Sequence, residues 1–202
     1  GKALNILDAG CGTGINMKFL LSKGHFLYGI DLSNFAISLC KKRRLKNVRK
    51  GSILKLPFRK NFFDVLICID VLGSMGSNRH IEKAIEEFYR VLKPNGFLLI
   101  HVASLPWLYS PHDVVTNFRV RFLKSELVAY IPSSKWNIIK CSYRVFFLFP
   151  FVASIKLIKK FLWRFVGDKT DQNTTPQILN RAFFFIQLIE SRLLRFMDFP
   201  IG

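Results

Sequence analysis

The residues of this chain best suited to chemistry lie between Asp8 and Asp31. Asp8-Ala9-Gly10-Cys11-Gly12-Thr13-Gly14 directly follows an apolar run and opens a stretch of helical period. Glycines at such a junction let the backbone turn tightly and come close to a ligand. A dinucleotide fingerprint would put its third glycine at position 15, which is Ile15, so the loop departs from that pattern. Asp8 bears on the ligand's charge: an anion ahead of the loop repels a pyrophosphate and suits an ammonium or sulfonium group. Asp31 closes Tyr28-Gly29-Ile30-Asp31-Leu32-Ser33, where an acidic residue about 20 positions downstream can hold ribose hydroxyls. Both halves of a nucleoside-binding site are therefore present.

The elements that must position these residues follow from periodicity. Strands are expected at Leu4 to Leu7, Phe26 to Ile30, Val48 to Lys50, Phe63 to Ile69 and Phe97 to Val102. Helices are expected at Asn16 to Ser22, Ser33 to Arg44 and Arg79 to Leu92, the last closed by Lys93-Pro94-Asn95-Gly96. Strands alternating with helices imply right-handed crossovers and a doubly wound, mainly parallel α/β sheet with helices on both faces. Past residue 103 the pattern loosens. A loop from Pro106 to Pro111 precedes His112-Asp113, a helix is expected from Lys124 to Tyr130, and a β-like run from Asn137 to Phe149. Two helical segments follow, Phe151 to Val166 and Gln177 to Met197, joined by a polar linker, Asp168 to Pro176. Residues 1–149 are expected to form the ligand-binding domain, and 150–202 a helical lid or membrane-facing extension of the same domain.

These residues and their order resemble a class I S-adenosylmethionine-dependent methyltransferase of the small-molecule type called methyltransferase type 11. The resemblance implies a Rossmann-like fold and S-adenosyl-L-methionine as cofactor. It places Gly10, Cys11, Gly12 and Gly14 in the loop under the methionine moiety, with Asp8 helping to position it and Asp31 and Leu32 at the ribose. Gly51-Ser52-Ile53 to Leu56-Pro57-Phe58 resembles the segment beside the adenine, which assigns Ser52 and Ile53 to the cofactor. Phe63-Asp64 to Asp70-Val71-Leu72 resembles the fourth strand, with Asp70 either capping its end or walling the cofactor pocket. Arg90-Val91-Leu92-Lys93-Pro94-Asn95-Gly96 resembles the turn before the fifth. Ser52 departs from the family, which usually carries Asp there to accept from the adenine amino group, and a neutral hydroxyl is the weaker partner. No metal is implied.

Methyl transfer from a sulfonium gains most from alignment and exclusion of water. A general base is required only when the nucleophile must lose a proton. His112 and Asp113 are the catalytic candidates, with His101 at the end of the fifth strand as a further one. The plainer reading of a His-Asp pair in a loop is a turn or helix cap. The second half resembles a narrower group of the family through Pro106 to Asp113, through Arg119-Val120-Arg121-Phe122-Leu123, and through Asn180, Glu190 and Pro200-Ile201-Gly202. Phe122 stands where that group has Tyr, and a final strand that commonly follows Pro-x-Gly is expected beyond Gly202, as is a lost segment before Gly1.

The 202 residues, half of them hydrophobic, exclude disordered and fibrous classes. Cations outnumber acids 17 to 7 in residues 1–100 and 14 to 6 in the remainder, so an overall charge of +18 is spread along the chain. Such a chain is drawn to polyanions. Cys11, Cys40, Cys68 and Cys141 are too dispersed for a metal or redox pair, which fits a reducing, cytoplasmic setting. The longest apolar stretch, 11 residues from Val145 to Ile155, falls short of the roughly 20 that span a bilayer. At about 100° per residue, Phe151, Ile155, Ile158, Leu162 and Phe165 share one helix face, with Lys156, Lys160 and Arg164 opposite. This helix reads equally as one lying in an anionic membrane interface and as a lid with a solvated basic back. Lys41-Lys42-Arg43-Arg44 with Lys46, Arg49 and Lys50 reads mainly as a solvated helix end. The expected function is methyl transfer to a small-molecule or lipid-linked acceptor at the inner membrane face. The alternatives are an RNA or protein methyltransferase and a non-catalytic cofactor-binding module; no recognisable nucleic-acid module accompanies the charge.

Overall fold

The computed structural model describes residues 2–166 and 177–202, and within them side chains up to Ile158 and from Asn180 onward, Pro111 excepted. The linker expected from Asp168 to Pro176 lies outside the described residues, as do the side chains of Lys160, Leu162, Arg164 and Phe165. The chain forms two compact units, Gly1–Ala103 and Ser104–Gly202.

The first unit is a sheet of five parallel strands: β1 (Asn5–Ala9), β2 (Phe26–Asp31), β3 (Val48–Lys50), β4 (Phe63–Ile69) and β5 (Leu92–His101), in the order β3-β2-β1-β4-β5. Helices α1 (Ile15–Leu21), α2 (Asn34–Lys42) and α3 (Asn78–Val91) connect them. From β1 the chain winds outward through β2 to β3, then returns to the other side of β1 for β4 and β5. Right-handed crossovers in opposite directions put α1 and α2 on one face and α3 on the other. The switch point therefore falls between β1 and β4, where such sheets bind ligands at the strands' carboxyl ends.

The helices form for local reasons. Ser33 caps α2 by accepting from the Ala36 N–H (3.2 Å), and Ala36, Ile37 and Cys40 turn one buried face to the sheet. In α3, Ile81, Ala84, Ile85, Phe88 and Val91 are buried at the spacing of one helical stripe. Lys93 to Gly96 sits within β5 as a bulge: Leu92 pairs with Phe63, yet Phe97 pairs with Val65, and Asn95 takes φ 61° to accommodate the extra residues.

The second unit contains α4 (Pro111–Val115), α5 (Lys124–Ala129), α6 (Phe149–Val166) and α7 (Gln177–Leu193). Among the described residues, one apolar cluster of this unit has Leu105, Leu108 and Ala153 buried with Tyr143, Phe149 and Ile201 packed against them. The β-like run expected from Asn137 to Phe149 is not a strand. Its amides find other acceptors: the buried Glu190 carboxylate takes the Val145 and Phe147 N–H groups, and Val145 adopts φ 69°. A carboxylate from α7 replaces the neighbouring strand that a ladder would require.

α6 departs from the expected arrangement at Lys156. Phe151, Ile155 and Ile158 are exposed, while Lys156 is half-buried, 4.0 Å from the Asp113 carboxylate. The cation is turned toward the buried Asp113–Arg121 pair, and the apolar side chains face outward. No helix among the described residues is long and apolar enough to cross a membrane.

Candidate functional site

The loop after β1 is held by backbone bonds. The N–H groups of Gly10 and Cys11 both donate to the Ile30 carbonyl (2.9 Å each), which folds the loop against the end of β2. Gly10, Gly12 and Gly14 have φ of 87°, 51° and 77°, a region that other residues enter at a cost. The first and last serve packing: a Cβ on Gly10 would sit 2.2 Å from Val71, and one on Gly14 would sit 2.3 Å from Leu45. A Cβ on Gly12 would meet nothing within 4 Å, so open space lies over the middle of the loop.

Two carboxylates adjoin the loop, Asp8 in β1 and Asp31 at the end of β2. Asp31 Oδ2 accepts from the Gly12 N–H (2.9 Å) and Oδ1 from the Ser33 N–H (2.8 Å), fastening the loop to the start of α2. Asp8 is 1% exposed, and its Oδ2 has no hydrogen-bond partner among the described residues. Burial, and secondarily the Asp31 charge, push its pKa up to about 7. A buried carboxylate without a partner is costly and normally protonates or finds a cation. The Cys40 thiol donates to the Gly12 carbonyl (3.2 Å), and Cys11 is buried beneath the loop.

At the rim, Leu32 is exposed just after β2, Ser52 is half-buried and Ile53 buried beyond β3. The Ser52 hydroxyl accepts from the Leu54 N–H (3.2 Å) and so closes a turn. Residues Leu56 to Phe58 are fixed from α3. Glu87 accepts from the Leu56 N–H (2.6 Å), and Arg90 donates to Glu87 and to the carbonyls of Leu56 (2.9 Å) and Phe58 (2.8 Å). Sequence reasoning took Arg90 only as part of the turn before β5 and passed over Glu87; its signal was an acid-base pair at i, i+3 on a helix. Asp70 ends β4 at φ 58°, and its carboxylate meets the His101 ring at Nδ1 (3.0 Å). Two residues weighed separately from the sequence, one for the cofactor and one as a base, are thus a pair at the carboxyl ends of adjacent strands.

Residues 7–100 match the family model described as a methyltransferase domain. Over 98 residues the chain is 42% identical to a tRNA (carboxymethyluridine(34)-5-O)-methyltransferase of Arabidopsis thaliana, covering 48% of this chain and 23% of that protein. It is 36% identical over 100 residues to a probable tRNA methyltransferase 9B of Mus musculus, covering 50% of this chain and 22% of that one. A SAM-dependent methyltransferase of Methanosarcina mazei superposes with a TM-score of 0.51 at 27% identity, covering 54% of this chain and 57% of that structure. Residues 7–100 of this chain are thus a methyltransferase domain of the S-adenosylmethionine-dependent kind. The matched segment spans about a quarter of the two tRNA-named relatives.

The loop of this domain fits S-adenosylmethionine on chemical grounds. S-adenosylmethionine carries an ammonium and a sulfonium, and the unpartnered Asp8 oxygen beside a second carboxylate is the environment a cation stabilises. Gly12 leaves the room for it. The candidate Asp113 has a different position: its Oδ2 accepts from the Ser110 N–H (2.8 Å) and hydroxyl (2.9 Å), and its Oδ1 pairs with Arg121 (2.7 Å). Burial works to raise its pKa, but the hydrogen bonds from Arg121 and Ser110 bring it below the usual carboxylate range. Asp113 therefore completes the capping box with Ser110 at the start of α4 and anchors Arg121, which is the plainer of the two readings of the His-Asp pair. His112, exposed beside it, makes no ring contact with Asp113, because that carboxylate faces Ser110 and Arg121.

Proposed function

We propose that this methyltransferase transfers the methyl group of S-adenosylmethionine to an RNA acceptor. Asp8, whose buried Oδ2 has no hydrogen-bond partner among the described residues, carries the cofactor side of the reading. The acceptor side is supported by the tRNA-named relatives, which share the cofactor domain, and by the charge of +18. This departs from the small-molecule or lipid-linked acceptor expected from the sequence.

When bound, the cofactor supplies an electrophilic methyl group on a sulfonium whose departure leaves a neutral thioether. The protein's part is placement. The glycine loop and Asp8 hold the amino-acid end, Asp31 keeps lone pairs for the ribose hydroxyls beyond its two backbone bonds, and Leu32, Ser52 and Ile53 border the purine. With Nδ1–H donated to Asp70, the His101 ring keeps Nε2 free to accept a proton from an acceptor hydroxyl or amine. Asp70 is then a positioning residue that fixes the tautomer.

Incubating the protein with methyl-tritiated S-adenosylmethionine and total tRNA should label the RNA. His101→Gln should lower kcat while leaving the dissociation constant of S-adenosylhomocysteine unchanged. Absence of labelled RNA, with the cofactor bound, would refute the acceptor assignment. One observation favours a second reading, a lipid-linked acceptor: the second unit exposes Phe151, Ile155 and Ile158 on α6 and Phe184, Phe185 and Ile189 on α7. Vesicle flotation distinguishes it, since RNA transfer needs no lipid and a lipid-linked acceptor requires co-sedimentation.

A further inference from the structure

Residues 41–60 contain ten cations and no Asp or Glu: Lys41, Lys42, Arg43, Arg44, Lys46, Arg49, Lys50, Lys55, Arg59 and Lys60. All ten are exposed, and no salt bridge among the described residues involves any of them. They run from the last turn of α2 through β3, the outermost strand on that side of the sheet, to the segment before β4.

Two simpler explanations cover part of this. Cations at a helix carboxyl end meet the dipole favourably, which accounts for Lys41 and Lys42. Charged residues on an edge strand discourage pairing with other chains, which accounts for Arg49 or Lys50. Neither requires ten, nor the absence of every acid in twenty residues. Two of the guanidinium groups are also held in place. Arg49 lies over the Phe58 ring and Arg59 over the Phe62 ring, 5.0 Å to each centroid, and Tyr28 packs edge-on against both rings (6.1 and 5.3 Å). Stacked arginines lose little freedom on meeting a phosphate.

We propose that this edge of the cofactor domain, from the end of α2 across β3 to Lys60, is the docking face for the phosphate backbone of the RNA acceptor. The assignment rests on the RNA reading above and deepens it. It adds a location: β3 pairs with β2 at Asp31 and Lys50, so the basic face adjoins the ribose end of the cofactor site. A backbone held there lies beside the carboxyl ends of the strands, where the methyl group is delivered. Phosphate contacts set orientation without reading sequence, leaving acceptor choice to other surfaces.

The test compares the full chain with two quadruple variants, using unmodified tRNA as probe. One carries Lys41→Ala, Lys42→Ala, Lys46→Ala and Arg49→Ala; the other carries alanine at Arg119, Arg181, Arg192 and Arg195, exposed cations of the second unit. Dissociation constants are measured from 50 to 300 mM salt, with S-adenosylhomocysteine binding as the check on folding. The first variant should bind tRNA at least tenfold more weakly, and the slope of log affinity against log salt should flatten by roughly 0.9 per cation removed from duplex contacts. The second should keep a slope within about one of the parent's. Equal losses in both variants would overturn the docking face while leaving the RNA reading standing, as would a first variant that binds like the parent. A parent that binds S-adenosylhomocysteine but no tRNA overturns both, and binding to anionic vesicles instead would assign the charge to a membrane.

Discussion

Asp8 ties cofactor affinity to pH. Burial, and then the Asp31 charge, raise its pKa to about 7, against 3.8 for an ordinary Asp. The sign follows from the direction. Between those two values the folded state holds a proton that the unfolded chain has released, so stability falls as pH rises through this window. At 1.36 kcal/mol per unit the loss amounts to about 4 kcal/mol once Asp8 is ionised. A bound ammonium reverses the balance by favouring the carboxylate, so below pH 7 binding must expel a proton. With only the ionised form competent, the apparent dissociation constant of S-adenosylhomocysteine scales as one plus ten to the power of seven minus pH. From pH 8 to pH 6 that is a weakening of about tenfold. Calorimetry in two buffers of different ionisation enthalpy measures both the affinity and the protons released, expected to approach one at pH 6. Asp8→Asn should flatten the pH dependence, weaken binding at pH 8 and raise the melting temperature of the unbound protein there. An affinity constant from pH 6 to 8 in the parent, or an unchanged profile in Asp8→Asn, would refute the assignment of Asp8 to the cofactor's cationic end.

Asp31→Ala should weaken S-adenosylhomocysteine tenfold or more, since a hydrogen bond to a charged group contributes about 1.5 to 3 kcal/mol. It should also speed hydrogen exchange at the Gly12 amide, which loses its acceptor; an unchanged dissociation constant would exclude the ribose role. Ser52→Asp should tighten binding: one carboxylate oxygen can keep the Leu54 N–H while the other reaches the adenine amino group. Looser binding with a normal melting curve would show the adenine held otherwise. In the second unit, Asp113→Asn should destabilise by about 3 kcal/mol because it leaves Arg121 and Lys156 without their anion. Lys156→Met in that background should recover part of the loss in urea titrations, and a further loss would show that Lys156 does not face the Asp113 site.

The first hundred residues were legible because each element there is governed by short-range patterns. Apolar runs of strand length, helical stripes and three glycines at a strand-helix junction define the crossovers and hence the sheet order and the cofactor loop. Bulge and turn are both written in Lys93 to Gly96, and only pairing with β4 decided between them. Tertiary structure alone decided where charges face. Lys156 lies opposite the apolar stripe on a helical wheel, which implies solvent, yet it is turned toward the buried Asp113–Arg121 pair. Asn137 to Phe149 has strand composition, but Glu190, more than forty residues away, takes its amides. His101 and Asp70 become a pair only because β5 lies beside β4, and Asp8 becomes a poised acid only because burial strips its water. Periodicity records which side chains prefer the interior. It carries no information about which distant partner a polar group will meet there, and in this protein the chemistry depends on those partners.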